Sequence, residues 1–393
     1  MERHERLGVW LLAIGQTLGF TTLLFSFGAI LLALEAGTPW SRTELALGPS
    51  LGLGVEALVV TATGRLVDRG QGGALLAGSA LLGAVALAAL SQVQSLSGWY
   101  ALWAVLGVAQ AAGLYETCFS FLTRRLGLGA RPAIVRVTLV AGFASTLAFI
   151  IGATAGEALG WRGALLIFAA LQLGITLPVN VIGVRLLRRG ERRGGDAGAP
   201  EGNGAVRAAL RNPAFWALAA IFGLTMGTHM MLVSLALPVL MDRGASHALA
   251  VVVASTVGPM QVVGRLGMML GGARVRSGTA VRAITLVMAL ASLSLLLSAG
   301  HVWLFFAYAV CQGASLGISS ILRPVLTAEA LGFENFGAIS GTLAIAPLGA
   351  SAIAPFFGAV LIGAGGVTLF LSVTLALTLC AFAAALWLRS RGI

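Results

Sequence analysis

The chain has 393 residues, of which 58% are hydrophobic and 10% charged, against about 45–50% and about 25% in a soluble globular domain. A water-soluble core does not absorb that excess, whereas lipid solvates the apolar face of every helix, so the composition excludes a soluble protein and points to a bilayer. The net charge of +11 rests on 25 basic residues, every one an arginine; they fall in short loops between apolar runs, so membrane topology explains them better than nucleic-acid binding does.

A span needs about 20 apolar residues to cross a core of about 30 Å. In chain order, candidates fall at 7–33, 44–64, 74–93, 99–123, 133–156, 163–187, 213–240, 247–270, 280–299, 301–322, 336–360 and 364–388, twelve in all. The first is too long for the apolar region of a cleavable signal, so it is expected to be a span. Strand alternation is absent, which argues against a transmembrane barrel. Cys118, Cys311 and Cys380 all lie inside apolar runs, as small packing residues and not as a disulfide framework. The longest polar stretch, 188–212, is rich in Gly, Ala and charge and follows six spans with six more to come. The expected organisation is therefore an all-α integral membrane protein of twelve transmembrane helices in two pseudo-symmetric six-helix bundles, 1–187 and 213–393, joined by a cytoplasmic linker.

Arginine asymmetry orients the chain. With the N-terminus inside, 22 arginines fall on the inner side and 3, Arg42, Arg162 and Arg243, on the outer. A missed helix would scramble that bias, so it supports the count. Both termini are expected in the cytoplasm.

Between the second and third spans stands Gly64-Arg65-Leu66-Val67-Asp68-Arg69-Gly70. This resembles the Gly-x-Leu-x-Asp-Arg-x-Gly signature of the major facilitator superfamily, at the loop where that family carries it. In that reading the glycine lets two helices approach, and Asp68, with Arg65 and Arg69, belongs to an inner gate. The family's usual final Arg or Lys is replaced by Gln71-Gly72-Gly73. Trp40-Ser41-Arg42-Thr43-Glu44 is similar to a segment that leads into span two in the bacterial monocarboxylate and oxalate/formate transporter-like branch. Gln261-Val262-Val263-Gly264-Arg265 in span eight resembles that branch's Asp-x-x-x-Arg pattern, with Gln261 in place of the aspartate. The resemblance implies the major facilitator fold, and an arginine that engages a substrate carboxylate.

Ionisable groups inside spans are costly and mark function by default. Arg265 is a bidentate partner for a carboxylate, with Gln261 one helical turn away on the same face. Gly264-Arg265-Leu266 repeats Gly64-Arg65-Leu66 at an offset of 200, which places Arg265 at the inner rim; a shift of about five residues places it about one turn deeper. Glu56, the deepest acid, is a proton-coupling group or a structural hydrogen bond between helices. Glu116, beside Tyr115, is expected either to pair with Arg124 or Arg136 or to couple protons. His229 in span seven titrates near neutral pH and either carries a proton, donates to an anion, or packs. Gln16, Gln110, Tyr115 and Gln312 complete the expected cavity, and the amides among them serve equally as glue between helices.

No Walker A sequence, metal-ligand cluster or nucleophile–base motif is present, so neither an enzyme nor a cofactor is expected. The expected function is a secondary active transporter of a small organic anion, a monocarboxylate, coupled to protons or to a counter-ion by exchange. A proton-driven exporter of drugs or other toxic compounds is the alternative. The expected partners are the small-molecule substrate, protons or a counter-ion and the lipid bilayer, with no nucleic acid; the protein is expected to be a monomer in a bacterial cytoplasmic membrane.

Overall fold

A computed structural model of the chain describes residues 3–126, 130–188, 203–271, 276–332 and 336–390. Among the described residues every regular element is a helix. The chain forms two compact units, Met1–Ala197 and Gly198–Ile393. Most of the expected linker, 189–202, lies outside the described residues. Its last part, Asn203–Arg211, forms a short helix.

In the first unit α1 (Arg3–Gly19) runs through a π-helical turn (Phe20–Leu24), bends at Phe25 and continues as α2 (Ser26–Gly37). Then come α3 (Arg42–Leu66), α4 (Gly72–Leu90), α5 (Leu96–Gly113), α6 (Tyr115–Leu126), α7 (Ala130–Ala141), α8 (Ala144–Leu171) and α9 (Leu177–Arg188). The second unit holds α10 (Asn203–Arg211), α11 (Pro213–Ser234), α12 (Ala236–Asp242), α13 (His247–Gly271), α14 (Ser277–Leu296), α15 (Val302–Leu331) and α16 (Phe336–Ser390).

Ten helical stretches among the described residues are long and apolar enough to cross a membrane. Two of them, of 57 and 52 residues, are about twice the length of one span. Each is broken by glycine in a conformation closed to other residues, at Gly160 (φ 70°) and at Gly366 (φ 72°). Ten stretches with two double-length members are consistent with twelve spans.

Helix starts follow local chemistry. Ser41 Oγ accepts from Glu44 N–H at 3.3 Å, and the Glu44 carboxylate accepts from Ser41 N–H at 2.8 Å, a complete capping box for α3. Ser41→Ala is expected to cost about 1 kcal/mol, read as a drop of about 2 °C in thermal unfolding of the detergent-solubilised protein. In the second unit Ser246 Oγ accepts from Leu249 N–H at 3.2 Å and starts α13 in the same way. Arg42 returns to Glu35 as an ion pair across the same loop.

Close packing sets the register inside each unit. A Cβ on Gly107 of α5 would overlap the Gly52 carbonyl of α3, and one on Gly313 of α15 would overlap the Val257 carbonyl of α13. The caps Ser41 and Ser246 are 205 positions apart, and so are Gly52 and Val257. Two features thus give α3 and α13 an offset of 205, five residues from the 200 that the Gly-Arg-Leu repeat implies, while the glycines opposite them, Gly107 and Gly313, are 206 apart. Glu56 and Gln261 fall at equivalent positions.

The Gly64–Gly70 loop departs from one expectation. A Cβ on Gly64 would meet nothing within 4 Å, so no close helix approach depends on it. The residue that needs to be glycine is Gly70, at φ 85°, where the chain turns out of a π-helical turn (Val67–Gln71) into α4. The close approach occurs at Gly73, which packs on Val184 and on the Arg188 guanidinium of α9.

Candidate functional site

In the first unit the broken helices explain most of the buried polar side chains. Leu114 is extended (ψ −164°), so α5 stops there and its last carbonyls lose their helical partners. Side chains replace them. Gln16 Nε2 donates to Gly113 O at 2.6 Å. Thr63 Oγ1 and Thr117 Oγ1 both donate to Ala111 O, at 3.2 and 2.8 Å. The π-helical turn at Phe20–Leu24 is served likewise: Gln110 Nε2 donates to Leu23 O at 2.7 Å, and Gln172 Nε2 to Thr22 Oγ1 at 2.6 Å. Asn180 Nδ2 of α9 donates to Leu76 O of α4 at 3.0 Å. An unpaired carbonyl in a lipid-embedded bundle costs several kcal/mol, so these amides stabilise the breaks they serve. Gln16 and Gln110, expected as cavity residues, are bound to backbone inside this unit. Gln172 and Asn180 were missed in the sequence; a lone amide in an apolar run was the available signal.

The carboxylates stand apart from that network. Gly48, Gly52 and Glu56 recur every four residues on one stripe of α3, and Gly48 packs against Trp99 and Trp103 of α5. Glu56 is half-buried at the next turn. Glu116, in the first turn of α6, is exposed and close enough to Glu56 for the two charges to interact. Among the described residues neither carboxylate forms a hydrogen bond or an ion pair, so the expected Glu116 pair with Arg124 or Arg136 does not form. Tyr115 is stacked on Phe119, with centroids 4.6 Å apart, and lies 4.3 Å from Phe20. Arg65 and Arg69 are exposed at the end of α3 and in the turn that follows. The Asp68 side chain lies outside what the structure describes, so the expected gate is not tested there.

Among the described residues of the second unit, one arginine and one histidine are buried. Arg265 is 5% exposed and its Nε donates to Ser320 Oγ at 3.3 Å. Ser320 Oγ in turn donates to Gly317 O at 2.7 Å. Gly317 is the residue whose missing Cβ admits the Gln261 carbonyl. The Gln261–Arg265 stripe of α13 therefore lies along the Gly317–Ser320 stripe of α15. On the 205 offset, Arg265 aligns with position 60, five residues before Arg65.

His229 of α11 is 1% exposed, and its Nδ1 lies 3.5 Å from Gln312 Nε2 of α15. With the amide donating to Nδ1, the ring proton sits on Nε2. That nitrogen and Gln312 Oε1 are buried and have no hydrogen-bond partner. Spans seven and ten thus meet at this point through His229 and Gln312.

No family model matches the chain, and no curated protein does. Two solved structures share its fold. One is a bacterial homolog of the human lysosomal transporter Spinster in an inward-facing and occupied conformation, with a TM-score of 0.74 at 16% identity, over 100% of this chain and 98% of that one. The other is a bacterial homolog of the same transporter in an inward-facing and unoccupied conformation, with a TM-score of 0.68 at 15% identity, over 99% and 95%. The chain has the all-α, multi-pass membrane architecture of the major facilitator fold. At this identity the likeness is one of fold and does not extend to the monocarboxylate or oxalate/formate branch.

Proposed function

We propose that the protein is a secondary active transporter, working by alternating access of its two bundles, whose cargo is a small organic anion, a monocarboxylate. The observation that carries the anion is Arg265: a guanidinium buried in a helix long and apolar enough to span a membrane, with Gln261 on its own stripe. A buried cation of this kind is costly and is retained where it has a negatively charged partner to bind. The guanidinium supplies two parallel donors to a carboxylate, and Gln261 and the His229 Nε2–H supply further neutral donors. The fold shared with solved transporters supports transport as the activity; the arginine bias supports a cytoplasmic position for both termini. Proteoliposome uptake of labelled carboxylates, by the wild type and by Arg265→Gln, tests the reading.

Glu56 and Glu116 are the proton-coupling pair in this proposal. Two carboxylates with neither ion pair nor hydrogen bond favour one shared proton over two bare charges. Glu56→Gln is expected to lower uptake driven by a pH gradient about 30-fold, from about 2 kcal/mol at the middle of the usual range of coupling free energies, while counterflow exchange with no gradient continues. Equal loss of both activities would remove the coupling role.

The same two acids favour a second reading, a proton-driven exporter of lipophilic cations or other toxic compounds. Expression in a sensitive host distinguishes them: resistance that disappears with Glu56→Gln and survives Arg265→Gln supports the exporter.

A further inference from the structure

The second unit has an open cleft at one end, lined by none of the residues assigned above to substrate or protons. The short helix α10 lies against the start of α11 and the end of α16. Its Ala209 is buried with Ala214, Phe215 and Leu388, and Arg207 and Arg211 face outward. Between α10, α11 and α16 lies a cleft of about 430 Å³, walled by Leu210, Pro213, Trp216, Ala384 and Trp387, with Arg211 at its edge. Trp216 is 59% exposed, yet its indole N–H already donates to Leu210 O at 2.9 Å, so it presents a fixed apolar ring to the cleft.

Three features bear on what fills it. Its walls are almost entirely apolar side chains, which suits a hydrocarbon chain. It lies where α11 begins and α16 ends, and exposed tryptophans at the ends of spans belong to the headgroup level of a bilayer. Arg211 lines its edge and Arg207 stands one turn earlier on α10, and among the described residues neither forms a hydrogen bond or an ion pair. Two like charges at that spacing destabilise a helix unless an anion lies between them. The arginine bias assigns this end to the cytoplasmic side, where anionic lipids attract basic segments.

We propose that this cleft is a binding site for one anionic phospholipid, with an acyl chain between Trp216 and Trp387 and the headgroup phosphate held by Arg207 and Arg211. The site depends on the multi-pass membrane fold and not on the anion-transport reading. It ties the start of the seventh span to the end of the twelfth through a lipid and through α10.

The test uses the full-length protein in detergent, titrated with phosphatidylglycerol or phosphatidylcholine and read by native mass spectrometry. The expected result is a retained phosphatidylglycerol with phosphatidylcholine at least tenfold weaker. R207Q/R211Q, two changes at exposed positions, is expected to weaken phosphatidylglycerol about twentyfold, from about fivefold per arginine, and to leave phosphatidylcholine unchanged. Trp387→Ala is expected to weaken both lipids. Equal retention of the two lipids by the wild type, or undiminished phosphatidylglycerol binding by the double arginine variant, overturns the proposal. So does competition by glycerol phosphate at the same concentration as the lipid, which would make the site one for a free anion. Thermal unfolding of each variant shows that the fold is kept.

Discussion

Arg265→Gln is expected to lower carboxylate uptake into proteoliposomes about 100-fold while leaving the protein folded. A hydrogen bond to a charged group contributes about 1.5–3 kcal/mol, so losing a two-pronged contact removes about 3 kcal/mol of substrate affinity, and each 1.4 kcal/mol is a factor of ten. The substitution removes a buried charge and does not create one, and glutamine is still able to donate to Ser320 Oγ from the same stripe. Arg265→Lys separates charge from geometry. A lysine keeps the positive charge but not the planar fork, so partial uptake is expected, between the wild type and the glutamine variant. Full uptake by Arg265→Gln, with an unchanged thermal transition, would sink the substrate role and leave the buried arginine as a tie between α13 and α15.

The second large effect concerns packing. Gly107→Ala is expected to destabilise the first unit by about 3 kcal/mol, because the new methyl group would occupy the place of the Gly52 carbonyl, which is backbone and has no rotamer by which to withdraw. The α3–α5 seam has to open, and Glu56 lies on that seam's stripe one turn beyond Gly52, so uptake should fall together with stability. Gly54→Ala is the control. It lies on α3, the other helix of that seam, a Cβ there meets nothing within 4 Å among the described residues, and exchange of a helical glycine for alanine there should be neutral or stabilising by up to about 1 kcal/mol. Thermal unfolding in one detergent, with both variants side by side, checks the pair. Similar behaviour of the two variants would mean that the seam relaxes more readily than its geometry implies.

The two units spend their buried polar groups differently. In the first, Gln16 and Gln110 serve carbonyls beside the helix breaks, and Gln172 donates to the Thr22 hydroxyl. In the second, Arg265 donates to Ser320, and Gln312 meets His229. Both units bury amide oxygens that lack a partner among the described residues, those of Gln16, Gln110 and Gln172 in the first and of Gln312 in the second. Glu56 and Gln261, at equivalent positions of the repeat, share the same contrast of charge against a neutral amide.

The sequence by itself determined what depends on composition and on short spacing. The apolar runs, the capping serine at 41, the glycine-rich turn at 70 and the all-helical membrane class are local properties, because a span's length is set by bilayer thickness and a cap by two or three neighbouring residues. The seams and the partners were decided only by the tertiary structure. Nothing in the apolar pattern marks the break at Leu114 or the π-helical turn at Phe20, so the amides that serve them look like cavity residues in sequence. A Gly-Arg-Leu repeat fits an offset of 200, and the Ser41 and Ser246 caps together with the carbonyl contacts of Gly52 and Val257 select 205 for α3 and α13. Hydrogen-bond partners across helices lie tens to more than a hundred residues apart in the chain, and only the folded bundle brings them within reach.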